Sequence, residues 1–183
     1  MQNGWKGAVK LRVNADAMTL YAVTDRTWVE DTTLMDQVKE ALEGGITFLQ
    51  LREKHLSKEE FIKEAREMKE LSKEYKVPFV INDNIEVALA VDADGVHIGQ
   101  DDMSVEEARK LLGEDKIIGV SAHNVEEAIK AQKGGADYLG VGAVCATSTK
   151  KDANVVSKEE IKKICHTVEI PVVAIGGIKK ENI

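Results

Sequence analysis

The sequence of 183 residues contains little cysteine, little proline and few aromatic residues. It has two cysteines, two prolines and 4% Phe, Trp and Tyr. Two cysteines, Cys145 and Cys165, are too few for a disulfide framework or a cysteine-based metal cluster. We expect both to remain reduced and to take no part in catalysis. Cys165 is expected to be a small core residue on the apolar face of its helix.

Long apolar runs are also missing. No stretch reaches the roughly 20 apolar residues of a membrane-spanning helix, and the start MQNGWKGAVKLR lacks the apolar centre of a secretory signal. Basic residues are outnumbered, because 25 Lys and Arg stand against 32 Asp and Glu, giving a formal net charge of -7. This charge argues against a general nucleic-acid-binding surface. We expect a cytoplasmic protein without nucleic-acid or membrane partners.

Seven short apolar runs recur along the chain, with charged amphipathic segments between them. The runs are TLYAVT, ITFLQL, PFVI, GVHIG, KIIGVSA, YLGVGAV and PVVAIGG. Their length and their Val and Ile content are typical of strands buried on both faces. One intervening segment places Phe61, Ala65 and Met68 on a single helical face, and its start, Ser57 with Glu60, has the pattern of a capping box. The alternation predicts right-handed parallel βα units.

The positions of the polar residues distinguish between two parallel architectures. An open, doubly wound sheet fits the alternation, but it concentrates its site at one switch point. Here polar segments follow nearly every run: TDR, QLREK, INDN, GQDD, SAHN and ATSTK. A ring of such loops is typical of a barrel. We predict an α/β fold, a TIM-type (β/α)8 barrel over residues 18–183 that is truncated after its seventh strand, preceded by an extension over residues 1–17.

The extension has three interpretations. In AVKLRV, apolar and basic residues alternate as in a half-buried strand. The apolar set is Val9, Leu11 and Val13, and the basic set is Lys10 and Arg12. Since the link to the first run is too short for a parallel crossover, this strand would run antiparallel and fill the gap left by the missing eighth strand, with its basic residues facing outward. A disordered tag and a short helix covering the barrel's base are the alternatives. An open barrel would expose two strand edges, which favour self-association.

Two cations and an amide share one side of the segment QLREK. The two-residue period of a strand places Gln50, Arg52 and Lys54 together. Guanidinium and ammonium groups beside an amide at a barrel mouth suit a phosphate or pyrophosphate. A solvated strand end, with charges paired to nearby carboxylates, explains the pattern equally well.

Carboxylates follow the third and fourth runs. INDN supplies Asn82 and Asp83, and GQDD supplies Asp101 and Asp102. Neighbouring parallel strands bring these side chains close together, and hard oxygen ligands suit Mg²⁺. We assign metal binding to Asp83 and Asp102, and we expect Asp101 to cap the following helix.

The loops after the fifth and sixth runs are rich in polar groups. SAHN supplies Ser121, His123 and Asn124. Asn124 precedes Glu127 by three residues and is therefore predicted to be an N-cap rather than a ligand. A lone His123 is weak support for an acid or base. ATSTKKDA offers two threonines, a serine and Lys150, which complete an anion pocket, although an ordinary polar loop has the same composition. The sequence contains no dinucleotide glycine fingerprint and no P-loop.

These motifs, taken in order, resemble those of thiamine phosphate synthases from about Thr19 to Ile183. They are LYAVTDR, QLREK, INDN, DGVHIGQDDM, IIGVSAHN, GADYLGVGAV, TSTKKDA and PVVAIGGI. The resemblance implies an enzyme that joins hydroxymethylpyrimidine pyrophosphate to hydroxyethylthiazole phosphate and releases pyrophosphate, with Mg²⁺. It also implies that pyrophosphate leaves first and that the thiazole nitrogen then captures a pyrimidine carbocation.

The resemblance assigns a role to each matching position. The pyrimidine pyrophosphate would be held by Gln50, Arg52, Lys54, Asn82, Ser121 and Lys150. The metal Mg²⁺ would be bound by Asp83 and Asp102. The thiazole phosphate would meet Thr147, Ser148, Thr149 and Gly177. The catalytic neutralisation of the leaving group would fall to Arg52, Lys54 and Lys150.

Two departures from the family pattern bear on function. Cys145 and Ala146 stand before TST, where family members usually carry an aromatic residue and a proline, and the loss of proline frees the loop backbone. The family also continues into an eighth strand, whose loop helps to bind the thiazole phosphate. Two other functions stay open: a thiazole tautomerase-like isomerase, which needs neither pyrophosphate nor metal, and an inactive truncated or engineered barrel.

Overall fold

Seven strands alternate with six α-helices in the part of the chain that the structure, a computed structural model, describes: residues 12–29, 31–146 and 155–182. The strands are β1 (Tyr21–Val23), β2 (Phe48–Leu51), β3 (Phe79–Asn82), β4 (Gly95–Ile98), β5 (Ile117–Ala122), β6 (Tyr138–Val141) and β7 (Val172–Ala174). The helices are α1 (Leu34–Glu43), α2 (Lys58–Glu74), α3 (Ile85–Ala90), α4 (Val105–Leu112), α5 (Val125–Gly134) and α6 (Lys158–Thr167). Two short 3₁₀ helices span Asp16–Met18 and Arg26–Trp28.

The strands pair in chain order, and every pair is parallel. A doubly wound sheet reverses its strand order at a switch point, and this sheet does not. Within the described residues β1 pairs only with β2, and β7 pairs only with β6. The strands therefore form a nearly closed barrel with helices outside, which confirms the predicted TIM-type class.

Side chains alternate along each strand between two apolar clusters. Leu49 and Ile81 belong to the outer cluster, in which the strands pack against the helices. The inner cluster fills the lower part of the barrel and contains Val13, Met18, Phe48, Val80, Ile117 and Tyr138. The lower interior is thus a packed core, and in barrels of this type the functional groups lie at the polar rim where the strands end.

Side-chain caps define where the helices begin. Ser57 and Glu60 form the predicted capping box at the start of α2. At the start of α4 the cap is Ser104, whose hydroxyl accepts from the amide of Glu107. The prediction that Asp101 caps this helix is therefore wrong. Ser104 lies nearer to the first turn and has an acidic partner three residues on, so it completes a reciprocal box that Asp101 cannot form.

Residues 12–18 lie across the base of the barrel, at the amino ends of the strands. Val13 and Met18 are buried in the inner cluster. Arg12 donates to the carboxylate of Asp137 at 2.8 Å and to that of Glu114 at 2.7 Å. Arg12 thus contacts the base instead of facing outward, and neither Arg12 nor Val13 belongs to a strand. The other residues of the predicted antiparallel strand lie outside the described part of the chain.

The carboxylate of Asp137 organises this base. Its side chain is only 2% exposed, and it accepts from Arg12, from Arg109 at 2.7 Å and from the amide of Ile118 at 2.8 Å. A buried carboxylate is stable only when it is paired and hydrogen-bonded in this way. Arg12 is therefore one of two cations that neutralise Asp137.

Cys165 is exposed, and Ile164 beside it is fully buried. The prediction that Cys165 is a core residue is wrong, because the buried face of α6 contains Ile164 and not Cys165. Cys145, just after β6, is half-buried.

Among the described residues, no helix combines the length and the apolar character that crossing a membrane requires.

Substitution Arg12→Ala should lower the free energy of unfolding by about 1–3 kcal/mol, because Asp137 loses one of its two cations while staying buried. Urea unfolding followed by circular dichroism measures this. Lys130→Ala, an exposed position on α5, is the matched control and should change the value by less than about 0.5 kcal/mol. Equal effects of the two substitutions would contradict the assigned role of Arg12.

Substitution Ser104→Ala should lower the free energy of unfolding by about 1 kcal/mol, because α4 loses its N-cap. The same urea titration on Asp101→Ala should show a change below about 0.5 kcal/mol. If Asp101→Ala proved the more costly of the two, the aspartate and not the serine would be the cap.

Candidate active site

The polar residues predicted to follow the strands lie at one end of the barrel. In the parallel register Gln50 is opposite Val80, Asn82 is opposite His97, and Ser121 is opposite Gly140. Because all strands run in the same direction, their carboxyl ends form one rim. The side chains that follow β2, β3 and β5 therefore share a single mouth.

A cation and two carboxylates meet where β2, β3 and β4 end. Lys54 Nζ lies 2.5 Å from Asp83 Oδ2. Asp102 Oδ2 accepts from the amide of Gly99 at 2.7 Å. Burial raises the pKa of Asp102; the Gly99 amide opposes this shift, and the nearby Asp83 carboxylate adds to it. The predicted proximity of Asp83 and Asp102 is thus present, and the two negative charges repel each other.

This pair of carboxylates has the properties that a Mg²⁺ site needs. Mg²⁺ is commonly bound by one or two carboxylates, with water and substrate phosphates completing an octahedron. Within the described residues, no three or more His, Cys, Asp or Glu side chains converge. Asp83 also has a left-handed backbone, with φ of 60°, a conformation that non-glycine residues rarely adopt and that is often found at functional sites. The donor set fits a metal shared with a phosphate ligand.

The glutamate within QLREK forms an ion pair with an arginine that follows β1. Glu53 is buried, and its carboxylate accepts from Arg26 at 2.6 Å. Arg26 also donates to Glu64 of α2 at 2.5 Å. Since the carboxylate of Glu53 is paired with Arg26, it does not cancel the positive charges of Arg52 and Lys54. The competing interpretation of QLREK holds in part, because Lys54 is indeed paired with a carboxylate.

Two residues after β5 are tied to α5. Asn124 is the N-cap, as predicted, and its side chain accepts from the amide of Glu127. His123 Nδ1 lies 2.9 Å from Glu127 Oε2, and this pairing helps to lower the pKa of Glu127 against the opposing effect of burial. His123 therefore has a local partner on the helix that follows it.

A polar chain inside the barrel was missed by the sequence reasoning. Gln50, Tyr21, Tyr138 and His97 are hydrogen-bonded in this order, and His97 in turn contacts Ser121 at the rim. Burial raises the pKa of Tyr138 well above its usual value and does the same to Tyr21. One feature of the sequence could have indicated this chain: Tyr and His occupy inward positions of the predicted strands, and glycines on other strands leave space for their rings.

The loop after β6 is only partly described. Thr147, Ser148, Thr149 and Lys150 lie outside the described residues. Gly177, after β7, has a φ of 68°, and a Cβ there would lie 2.6 Å from the carbonyl oxygen of Ala146. Only glycine permits this approach. The β7 loop thus packs directly on Cys145 and Ala146, which precede the predicted thiazole phosphate residues in the sequence.

Comparison with known proteins gives consistent matches over most of the chain. The sequence model of a family described as thiamine monophosphate synthase matches residues 20–183. A thiamine-phosphate synthase of Clostridium acetobutylicum is 55% identical over 163 residues, 89% of this chain and 77% of that protein. One from Methanobrevibacter smithii is 52% identical over 165 residues, 90% of this chain and 78% of that protein. A solved structure, thiamine phosphate pyrophosphorylase from Pyrococcus furiosus, matches with a TM-score of 0.84 and 43% identity, covering 92% of this chain and 79% of that one.

Proposed function

We propose, from the premise that this chain belongs to the thiamine monophosphate synthase family, that its barrel mouth condenses hydroxymethylpyrimidine pyrophosphate with hydroxyethylthiazole phosphate. The products are thiamine phosphate and pyrophosphate, so the enzyme is a transferase. The relatives that match most of the chain carry the name of this activity. The proposal extends that activity to the residues of this chain.

The observation that carries the proposal is the cluster of Lys54, Asp83 and Asp102. A pyrophosphate needs positive charge, and two adjacent carboxylates would hold a divalent cation that supplies it beside Lys54. A tautomerase-like isomerase handles no pyrophosphate and has no need for this cluster. Burial raises the pKa of Asp102, and the neighbouring Asp83 carboxylate adds to the shift; a bound cation would relieve this repulsion, which supports the same assignment.

Asp83 and Asp102 would hold Mg²⁺, which when bound supplies charge neutralisation to the departing pyrophosphate. The cationic side chains Arg52, Lys54 and Lys150 neutralise the remaining charge. Gln50, Asn82 and Ser121 complete the pyrimidine pyrophosphate site. The thiazole phosphate is received by Thr147, Ser148, Thr149 and the loop at Gly177.

The reaction breaks the bond between the pyrimidine methylene carbon and the pyrophosphate oxygen. The electron pair leaves with pyrophosphate, and the thiazole nitrogen donates its own pair to the resulting carbocation. The nitrogen carries no proton, so no general base is required. The protein contributes charge stabilisation and alignment of the two rings. This assignment is consistent with His123, whose ring contacts Glu127 of α5.

Four further features belong to the proposal. The metal is Mg²⁺, and the compartment is the cytoplasm. Residues 18–183 form the barrel, and residues 1–17 form an extension whose last part lies across the barrel's base. Within the described residues β1 and β7 each pair with a single strand, and we propose that these edges provide a route to self-association.

Incubation of the chain with both substrates and Mg²⁺ should produce thiamine phosphate. Asp102→Asn should lower the rate by at least about 100-fold, because the site loses a metal ligand and the leaving group loses neutralisation. Product formation is followed by chromatography, and Mg²⁺-dependent pyrophosphate binding by calorimetry.

Asp101→Asn is the matched control, since Asp101 is exposed and next in sequence. It should retain the rate and the affinity. Isomerisation of the thiazole without condensation would favour the tautomerase-like alternative. Absence of both reactions, with no pyrophosphate binding, would favour an inactive barrel.

A further inference from the structure

We propose that the buried chain Gln50–Tyr21–Tyr138–His97 fixes the direction of the hydrogen bond to Ser121, so that the Ser121 hydroxyl is free to donate to a phosphate oxygen. The proposal rests on the proposed function, which places the pyrimidine pyrophosphate beside Ser121. Tyr21, Tyr138 and His97 are positioning residues, because they act through Ser121.

Four contacts join the chain from the barrel interior to its rim. Gln50 Nε2 donates to the Tyr21 hydroxyl at 2.6 Å, and the Tyr21 and Tyr138 hydroxyls are 2.6 Å apart. The Tyr138 hydroxyl is 3.0 Å from His97 Nδ1, and His97 Nε2 is 3.0 Å from Ser121 Oγ. Each member therefore touches the next through one polar atom.

The direction of the chain follows from counting protons. Gln50 Nε2 is a donor only, so the Tyr21 hydroxyl accepts there, and we assign its single proton to the contact with Tyr138, in which either hydroxyl can donate. Tyr138 accepts from Tyr21 and gives its own proton to His97 Nδ1. Nδ1 is then an acceptor, and the proton of the neutral imidazole lies on Nε2. Nε2–H donates to Ser121.

Ser121 is thereby left with a free proton. Its oxygen accepts from His97, and its O–H points to another partner. The opposite tautomer would reverse this, because Ser121 would donate to His97 and turn lone pairs toward an anionic ligand. The peptide carbonyl of Ser121 is held separately by Gln100 Nε2 at 2.6 Å, so the backbone is fixed while the chain sets the hydroxyl.

Burial keeps the chain in this state. Tyr138 is fully buried, Gln50 is 4% exposed and His97 is 8% exposed. The raised pKa of each tyrosine keeps both hydroxyls neutral, with their protons in place. Because a buried hydroxyl without a partner is costly, we expect the arrangement in which the protons of Tyr21, Tyr138 and His97 all have partners, and only the Ser121 proton at the rim is left for a ligand.

Two glycines make room for the rings. A Cβ at Gly119 of β5 would lie 2.0 Å from Cζ of Tyr138, and one at Gly140 of β6 would lie 3.0 Å from Cε1 of His97. Glycine weakens a strand interior and marks sites where another group approaches closely. Both positions give up a stabilising side chain, and the space is taken by members of the polar chain.

The first test reads the tautomer of His97 directly. Long-range ¹H–¹⁵N correlation spectra of the unliganded chain distinguish protonation at Nδ1 from protonation at Nε2. We expect His97 to be protonated at Nε2 and to lose this preference in Tyr138→Phe. A His97 protonated at Nδ1 in the unchanged chain would overturn the proposal.

The second test is a double-mutant cycle with inorganic pyrophosphate and Mg²⁺ as the probe. Tyr138→Phe should weaken binding about tenfold, the effect of removing one charge-assisted hydrogen bond. In the Ser121→Ala background the same substitution should have no further effect. A merely structural role for Tyr138 would weaken binding equally in both backgrounds, and this result would refute the proposal.

Tyr75→Phe is the matched control, because Tyr75 is an exposed tyrosine at the end of α2. It should change neither the tautomer nor the affinity. Thermal unfolding of each variant confirms that it is folded. If the unchanged chain failed to bind pyrophosphate, the proposed function would fail, and the tautomer measurement would still decide the direction of the chain.

Discussion

The hydrogen bond between the hydroxyls of Tyr21 and Tyr138 is the interaction on which the rest of the structure depends. It connects β1 to β6 across the barrel interior, while β1 has no other strand than β2 as a partner in the described residues. Phe48 packs against both rings, with centroids 4.7 Å from Tyr21 and 5.7 Å from Tyr138. Tyr138 is fully buried and Tyr21 is half-buried; their hydroxyls satisfy each other, with Gln50 and His97 as the further partners, and a buried hydroxyl without a partner would be costly. The pair therefore fixes how far the sheet curves, and with it the width of the mouth.

The curvature has a direct consequence for the chemistry of the rim. Lys54, Asp83 and Asp102 follow three successive strands, and a flatter sheet would spread them apart. Their approach places two carboxylates together at an energetic cost; burial is the main cause of the raised pKa of Asp102, and the Asp83 carboxylate adds to it. Repulsion of this kind is relieved by a cation. The proposed site for a metal and a polyphosphate therefore depends on the barrel's geometry as well as on the residues at its strand ends.

Local patterns in the sequence predicted the parts of the structure that local forces determine. The seven strands, the caps at Ser57 and Asn124 and the approach of Asp83 to Asp102 all follow from periodicity and strand order. Long-range contacts were not predictable in this way. The partner of Arg12 is Asp137, 125 positions away, so the alternating pattern around Arg12 suggested an outward side chain. The exposure of Cys165 depends on a shift of one residue in the buried face of α6. The inner polar chain joins residues from five strands, and no local motif marks it.

The base and the mouth of the barrel are joined through two consecutive residues. In TIM-type barrels the amino ends of the strands generally serve stability and the carboxyl ends serve function. Here Asp137 is clamped at the base by Arg12, Arg109 and the amide of Ile118, and the next residue, Tyr138, is the centre of the chain that leads to Ser121. Since β6 is rigidly paired on both sides, the clamp at Asp137 limits the movement of Tyr138. The salt bridges at the base thus stabilise the fold and, through one peptide unit, also fix the depth at which the polar chain sits beneath the mouth.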